Sequence, residues 1–137
     1  MNLRYCLNTS TLRGQGLTLV QEVEVAAKAG YQAIEPWVAE VEKFVREGGK
    51  LADLGKRIAG LGLSVESCVG FSEWITEAAE APGGLEVWKR DLDLIAQIGA
   101  KRIAAPPSGA VHEAEKDLLK VAARYRRLLE LGRQFVW

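Results

Sequence analysis

Ala29-Gly30-Tyr31-Gln32-Ala33-Ile34-Glu35-Pro36-Trp37 holds the junction that decides the fold: an apolar residue closes a helical stretch, a glycine follows, and a strand-like run begins. The junction recurs at Leu61-Gly62-Leu63, Ile98-Gly99-Ala100 and Leu131-Gly132-Arg133, with the glycines 32, 37 and 33 residues apart. A glycine just past a helix takes a positive φ without strain and stops the helix. The spacing fits one strand plus one covering helix, so the repeat reads as successive βα units. The fourth glycine is expected to open a fifth strand, Arg133 to Trp137, at the end of the sequence. The expected organisation is one partial domain over residues 1–137, from the first strand to the start of the fifth, as in a chain truncated mid-fold.

Working outward, the first strand spans Leu3 to Asn8 and ends in a polar turn, Thr9 to Gly16. Thr18 and Gln21 have capping-box spacing, and Val20, Val23 and Ala27 follow on one helical face. The second strand is Tyr31 to Trp37, and a short helix, Val38 to Glu47, is broken by Gly48-Gly49. Leu51, Leu54, Ile58 and Leu61 form one buried stripe of the next helix. The third strand is Leu63 to Val69, and a loop runs from Gly70 to Gly84. Leu85, Trp88, Leu92, Ile95 and Ala96 mark a further helix, and the fourth strand, Lys101 to Ala105, is stopped by Pro106-Pro107. The last helix is expected from Val111 to Leu131, with Glu113 and Glu115 in its first turn and Arg124, Arg126 and Arg127 later, an order that suits the helix dipole.

Strands separated by single helices imply a parallel sheet with right-handed crossovers. A flat doubly wound sheet buries both strand faces and wants near-continuous apolar runs. Tyr31-Gln32-Ala33-Ile34-Glu35 and Ser64-Val65-Glu66-Ser67-Cys68 alternate instead. If Ile34, Val65 and Ile103 face the helices, Glu35, Glu66, Cys68 and Arg102 face the other way, which in a barrel is the interior and its C-terminal mouth. The fold class read from the chain is therefore α/β, the N-terminal half of a (β/α)8 TIM barrel with about four and a half βα units. A flat sheet is the alternative. A phosphate-binding version of that sheet needs a Gly-rich loop after the first strand, and Arg13-Gly14-Gln15-Gly16 lacks the GxGxxG spacing.

The 137 residues suffice for one modest domain, and 48% apolar with 26% charged residues is ordinary for a globular protein. A formal net charge of zero and the absence of a basic stripe disfavour nucleic acid. No run of about 18 apolar residues is present to span a membrane. Met1 to Cys6 has no secretory apolar stretch, and two cysteines do not make a disulfide framework, so the cytoplasm is the expected location.

Gly30-Tyr31-Gln32-Ala33-Ile34-Glu35-Pro36-Trp37 resembles the second-strand pattern of the xylose isomerase-like TIM barrel family, the sugar phosphate isomerases/epimerases. That family includes inosose dehydratases and hydroxypyruvate isomerases. Asn8-Thr9 fits the end of its first strand. Gly84-Leu85-Glu86, Lys89-Arg90-Asp91-Leu92-Asp93-Leu94-Ile95 and Ile98-Gly99-Ala100-Lys101-Arg102-Ile103 resemble its third helix and fourth strand. The resemblance covers essentially the whole chain. It implies carbohydrate metabolism: metal-dependent proton transfer on a sugar, sugar phosphate or polyol. It also implies a divalent cation (Mn, Mg or Zn) in the complete parent, held by Glu, Asp and His at the ends of strands five to eight. None of those strand ends is expected here, so no metal or catalytic residue is assigned and the chain alone is expected to be inactive. The family's endonuclease branch uses histidines after strands two to four. Glu66-Ser67-Cys68 and Ala104-Ala105-Pro106-Pro107 stand there instead, which disfavours DNA repair.

The substrate-binding candidates are Glu35, Trp37, Glu66, Cys68, Phe71 and Trp74. Glu35 and Glu66 suit sugar hydroxyls; alternatively each is a structural acid paired with Arg4 or Arg102, because an unpaired buried carboxylate costs several kcal/mol. Trp37, Phe71 and Trp74 suit an apolar wall for a sugar face, or else pack the rim. Cys68, like Cys6, reads equally as a small buried hydrophobe with no adjacent base. His112, the single histidine, is expected to be solvated at a helix start. The turn Pro106-Pro107-Ser108-Gly109 offers amides to an anion. Strands one and five would be open edges, so a homo-oligomer is expected. The competing functional reading is a non-catalytic, self-associating half barrel.

Overall fold

The computed structural model describes residues 3–113 and 116–135. Strand β1 (Cys6–Asn8) is followed by a 3-10 segment, Thr9–Gln15, and helix α1 (Leu19–Lys28). Thr18 caps α1 in the expected box: its hydroxyl accepts from the Gln21 amide, and the Gln21 side chain accepts from the Thr18 amide at 2.8 Å. Strand β2 (Ala33–Glu35) leads to α2 (Val38–Arg46) and α3 (Leu51–Gly60). The third strand is split into β3 (Ser64–Val65) and β4 (Cys68–Val69), and α4 (Glu86–Ala96), β5 (Ile103–Ala104) and α5 (Leu118–Gly132) complete the order.

Every strand pair is parallel: β1 with β2, β2 with β3, and β4 with β5, and a Trp37–Val69 bridge joins the two parts. Leu7, Ile34 and Val65 point to the helical side and meet Val23, Ala26, Val41, Leu54, Ile58 and Ile95 in the main core. A second cluster, Trp74, Trp88, Leu92, Leu128 and Leu131, lies between α4, α5 and the loop before α4, with Ile103 against both clusters. Buried Arg124 fastens that loop, donating to Glu80 at 2.6 Å, the Ile75 carbonyl at 2.6 Å and Glu113 at 3.3 Å. It serves packing rather than the helix dipole.

Three departures from the sequence reading have physical causes. First, the third strand carries one residue too many. Ile34 pairs with Val65 and Trp37 with Val69, so three steps on β2 face four on the third strand. Glu66-Ser67 is thus a β-bulge, which resets the in/out alternation beyond it. Cys68 lands on the helical side, fully buried in the core, and not on the concave face where simple alternation placed it. Cys6, expected to be buried, is exposed.

Second, Gly30, Gly62 and Gly99 take the expected left-handed conformation, but Gly132 does not; it is the last residue of α5. The chain then continues as a 3-10 turn, Arg133–Phe135, and not as a fifth strand. Val136 and Trp137 lie outside the described residues. Third, the last helix begins at Leu118, where the Asp117 side chain accepts from the Leu119 amide. The earlier segment holds only a 3-10 turn, Ala110–His112, with His112 exposed in it; Glu115 lies outside the described residues.

Candidate functional site

In a parallel βα arrangement the strand C-termini and the helix N-termini share one end of the sheet. Residues paired in register share a face, so Asn8 lies beside Glu35 on the concave side, and Trp37 beside Val69. The Asn8 side chain is oriented by its own turn, its oxygen accepting from the Ser10 amide at 3.0 Å. Its amide nitrogen is thereby left to donate to Glu35 at 2.7 Å. The other Glu35 oxygen accepts from the Ser67 hydroxyl, which the bulge turns inward. Glu35 therefore has neutral partners, not Arg4 or Arg102, and its half-buried carboxylate keeps lone pairs for a ligand hydroxyl.

Glu66 is the acid with a cationic partner: Arg102 donates to it at 3.1 Å and Ser64 at 2.8 Å. The Ser64 hydroxyl first, then Arg102, holds the Glu66 carboxyl below the usual carboxylate range. Trp37 and Phe71 pack together into an aromatic wall, with ring centroids 4.5 Å apart and planes inclined by 50°. Trp74 does not join it. It is 7% exposed in the second core, packs against Tyr125, and donates its indole N–H to the carbonyls of Ala105 and Pro106. A buried indole needs such an acceptor, so Trp74 holds β5 to the loop. Cys68 is also removed from the wall: burial first, then the Glu35 and Glu40 carboxylates, pushes its thiol up to about 12. Burial, Glu35 and Glu66 also raise the Cys6 thiol, so neither sulfur is an activated nucleophile.

Several site residues escaped the sequence reading. Glu40, in the first turn of α2, accepts from the Trp37 amide at 2.9 Å and from the hydroxyl of fully buried Thr9. Its signal was the glutamate three residues after the start of a helix. Arg13 lies over the Trp37 ring, 3.9 Å from its centroid, and the indole N–H of Trp37 is buried without an acceptor. Among the described residues no group of three or more His, Cys, Asp or Glu could hold a metal ion. With fewer than three such ligands converging at the mouth, the described residues by themselves do not fit a metal centre. No helix among the described residues is long and apolar enough to cross a membrane.

A parallel sheet with helices on one face and a polar concave face defines half of a TIM barrel, and the fold is similar to that of solved proteins, among them a xylose isomerase-like TIM barrel/4-hydroxyphenylpyruvate dioxygenase fusion protein at 16% identity with a TM-score of 0.75. The probable 3-DHS dehydratase AsbF of Bacillus anthracis matches over 97% of this chain and 49% of its own, with a TM-score of 0.80 at 17% identity. The IolI protein, solved with a bound zinc atom, matches over 97% of this chain and 49% of its own, with a TM-score of 0.73 at 15% identity. D-psicose 3-epimerase, solved in the presence of D-fructose, matches over 97% and 50%, with a TM-score of 0.69 at 15% identity. The chain thus spans about half the length of AsbF, IolI and D-psicose 3-epimerase. No protein-family model matches the sequence, and no curated protein matches it significantly.

Proposed function

We propose that this chain forms half of the substrate mouth of a sugar phosphate isomerase/epimerase-like enzyme of cytoplasmic carbohydrate metabolism. The observation that carries the reading is the Asn8–Glu35–Ser67 hydrogen-bonded set on the concave face beside the Trp37–Phe71 wall. An acceptor carboxylate next to an aromatic face suits a sugar, which presents hydroxyls at its edge and C–H groups on its face. The parent reaction is proton transfer next to a carbonyl, and a divalent cation supplies polarisation of the sugar oxygens when bound. A complete set of three or more ligands for that cation is not present among the described residues. This chain's residues bind and orient: Glu35 accepts a hydroxyl, Trp37 and Phe71 shield one sugar face from water, and Arg102 keeps Glu66 charged.

Titration of the 137-residue chain with ketohexoses and their phosphates, followed by NMR shifts of the tryptophan indoles, tests the reading. Half a mouth should bind at about millimolar Kd, and Glu35→Gln should weaken binding roughly tenfold, the cost of losing a charge-assisted hydrogen bond. No saturable shift with any of these sugars, or an unchanged Kd in Glu35→Gln, overturns it.

A further inference from the structure

A cleft of about 290 Å³ lies between the 3-10 segment after β1, the start of α1, and α2, and both Arg13 and Glu22 line it. On α1 the Glu22 carboxylate sits in the apolar stripe with Leu19, Val23 and Ala26, is 3% exposed, and makes no hydrogen bond among the described residues. Burial, then the Glu40 carboxylate, raises Glu22 to about 7, and only Arg13 acts the other way. The other charged groups at the cleft are Glu40, Lys43 and Glu47 of α2. Lys43 and Glu47 pair with each other in solvent at 3.8 Å, and Glu40 is held by Thr9 and the Trp37 amide.

One cation and one anion on this cleft are therefore without a charged partner. The Arg13 guanidinium makes no ion pair among the described residues, is exposed, and rests on the Trp37 ring. We propose that Arg13 is a two-position cover of the Trp37 wall, stacked on the indole or turned into the cleft against ionised Glu22, and that a sugar on the ring favours the turned position. The sugar half of this proposal rests on the function proposed above. An exposed cation–π contact is among the weaker interactions, and an ion pair with a carboxylate that faces an open cleft is also modest, so the two positions are close enough to exchange. Turning Arg13 away also frees the indole face and leaves the Trp37 N–H, now without an acceptor, to a sugar hydroxyl. Pairing with Arg13 requires ionised Glu22, so the sugar and the Glu22 proton oppose each other. By reciprocity, sugar affinity rises with pH.

The cover can be tested without any sugar, in protein labelled with 5-fluorotryptophan, the Trp37 ¹⁹F signal being identified by its loss in Trp37→Phe. Between about pH 5.5 and 8.5 the signal should move to the position it has in Arg13→Ala, and the isosteric Glu22→Gln should abolish the titration. With D-fructose as probe, affinity should rise about threefold or more over the same range in wild type and stay flat in Glu22→Gln. A Trp37 signal that ignores pH, or titrates unchanged in Glu22→Gln, overturns the cover whatever the sugar does. A titration that persists while D-fructose leaves Trp37 untouched at every pH upholds the exchange of Arg13 and rejects the sugar half.

Discussion

Glu22 also makes folding itself depend on pH. The unfolded side chain ionises near 4.5 and the folded one near 7, so between these values the native state holds a proton that the unfolded state has lost. Its contribution to stability is fully present below the lower value and is lost as pH rises through the upper one. Urea unfolding should show stability falling by roughly 1–3 kcal/mol between about pH 5 and 7.5, with the slope flattened in Glu22→Gln. An identical slope in the variant removes Glu22 as the cause. Glu66, depressed by Ser64 and Arg102, acts with opposite sign, stabilising above 4.5 and losing that as pH falls further, so it does not contaminate this window. At this scale the sequence was partly readable. The Glu66–Arg102 pair followed from alternation. The neutral partners of Glu35 did not, because Ser67 reaches it only through a bulge. Glu22 was hidden because an apolar stripe read through Val20, Val23 and Ala27 passes it by, whereas the face actually buried contains it.

The bulge is the element on which the mouth depends. A single extra residue points Glu66 and Ser67 to the concave side together and sends Cys68 into the core. No side-chain pattern in Leu63 to Val69 announces this, since a bulge is visible only against its partner strand. The helices were more legible: the Thr18–Gln21 box and the stripe of Leu51, Leu54 and Ile58 carry their own local reasons, although Leu61, expected in that stripe, follows the end of α3 and is exposed. The last glycine misled because Gly132 sits where a stop is usual but stays within the helix. Thiol reactivity checks the bulge. In the native protein Cys6 should react with a disulfide reagent and Cys68 should not. Deleting Ser67 removes the extra residue and leaves Cys68 two positions after Val65, on the same helical side, so Cys68 should stay protected while Glu35 loses its Ser67 partner. Reaction of Cys68 in the deletion variant, as fast as that of Cys6, counts against the register described here.

Across the whole molecule, the periodic glycines and the alternation of two strands sufficed for the parallel topology, because chirality and connection rules leave few ways to assemble βα units. What covers the concave face is not written in those rules. Glu35, Glu66 and Arg102 line that face, and Arg102 and the outer residues of β1 meet solvent. Just before β1, Leu3 is 69% and Tyr5 61% exposed. At the other end of the sheet a groove of about 500 Å³ runs beside β5, lined by Trp88, Ile103, Leu128, Leu129 and Phe135. An apolar strand flank at one edge and an apolar groove at the other are complementary, and unpaired edges pair with whatever strand is offered. In isolation, the 137-residue polypeptide should therefore self-associate, the β1 edge of one copy meeting the β5 groove of the next. Sedimentation from about 5 to 50 µM should show a concentration-dependent rise above the monomer mass, and Tyr5→Lys, which puts a charge on the flank without touching the core, should return it to monomer. A wild-type chain that stays monomeric throughout this range removes self-association as the second functional reading and leaves the sugar mouth to stand on its ligand titrations alone.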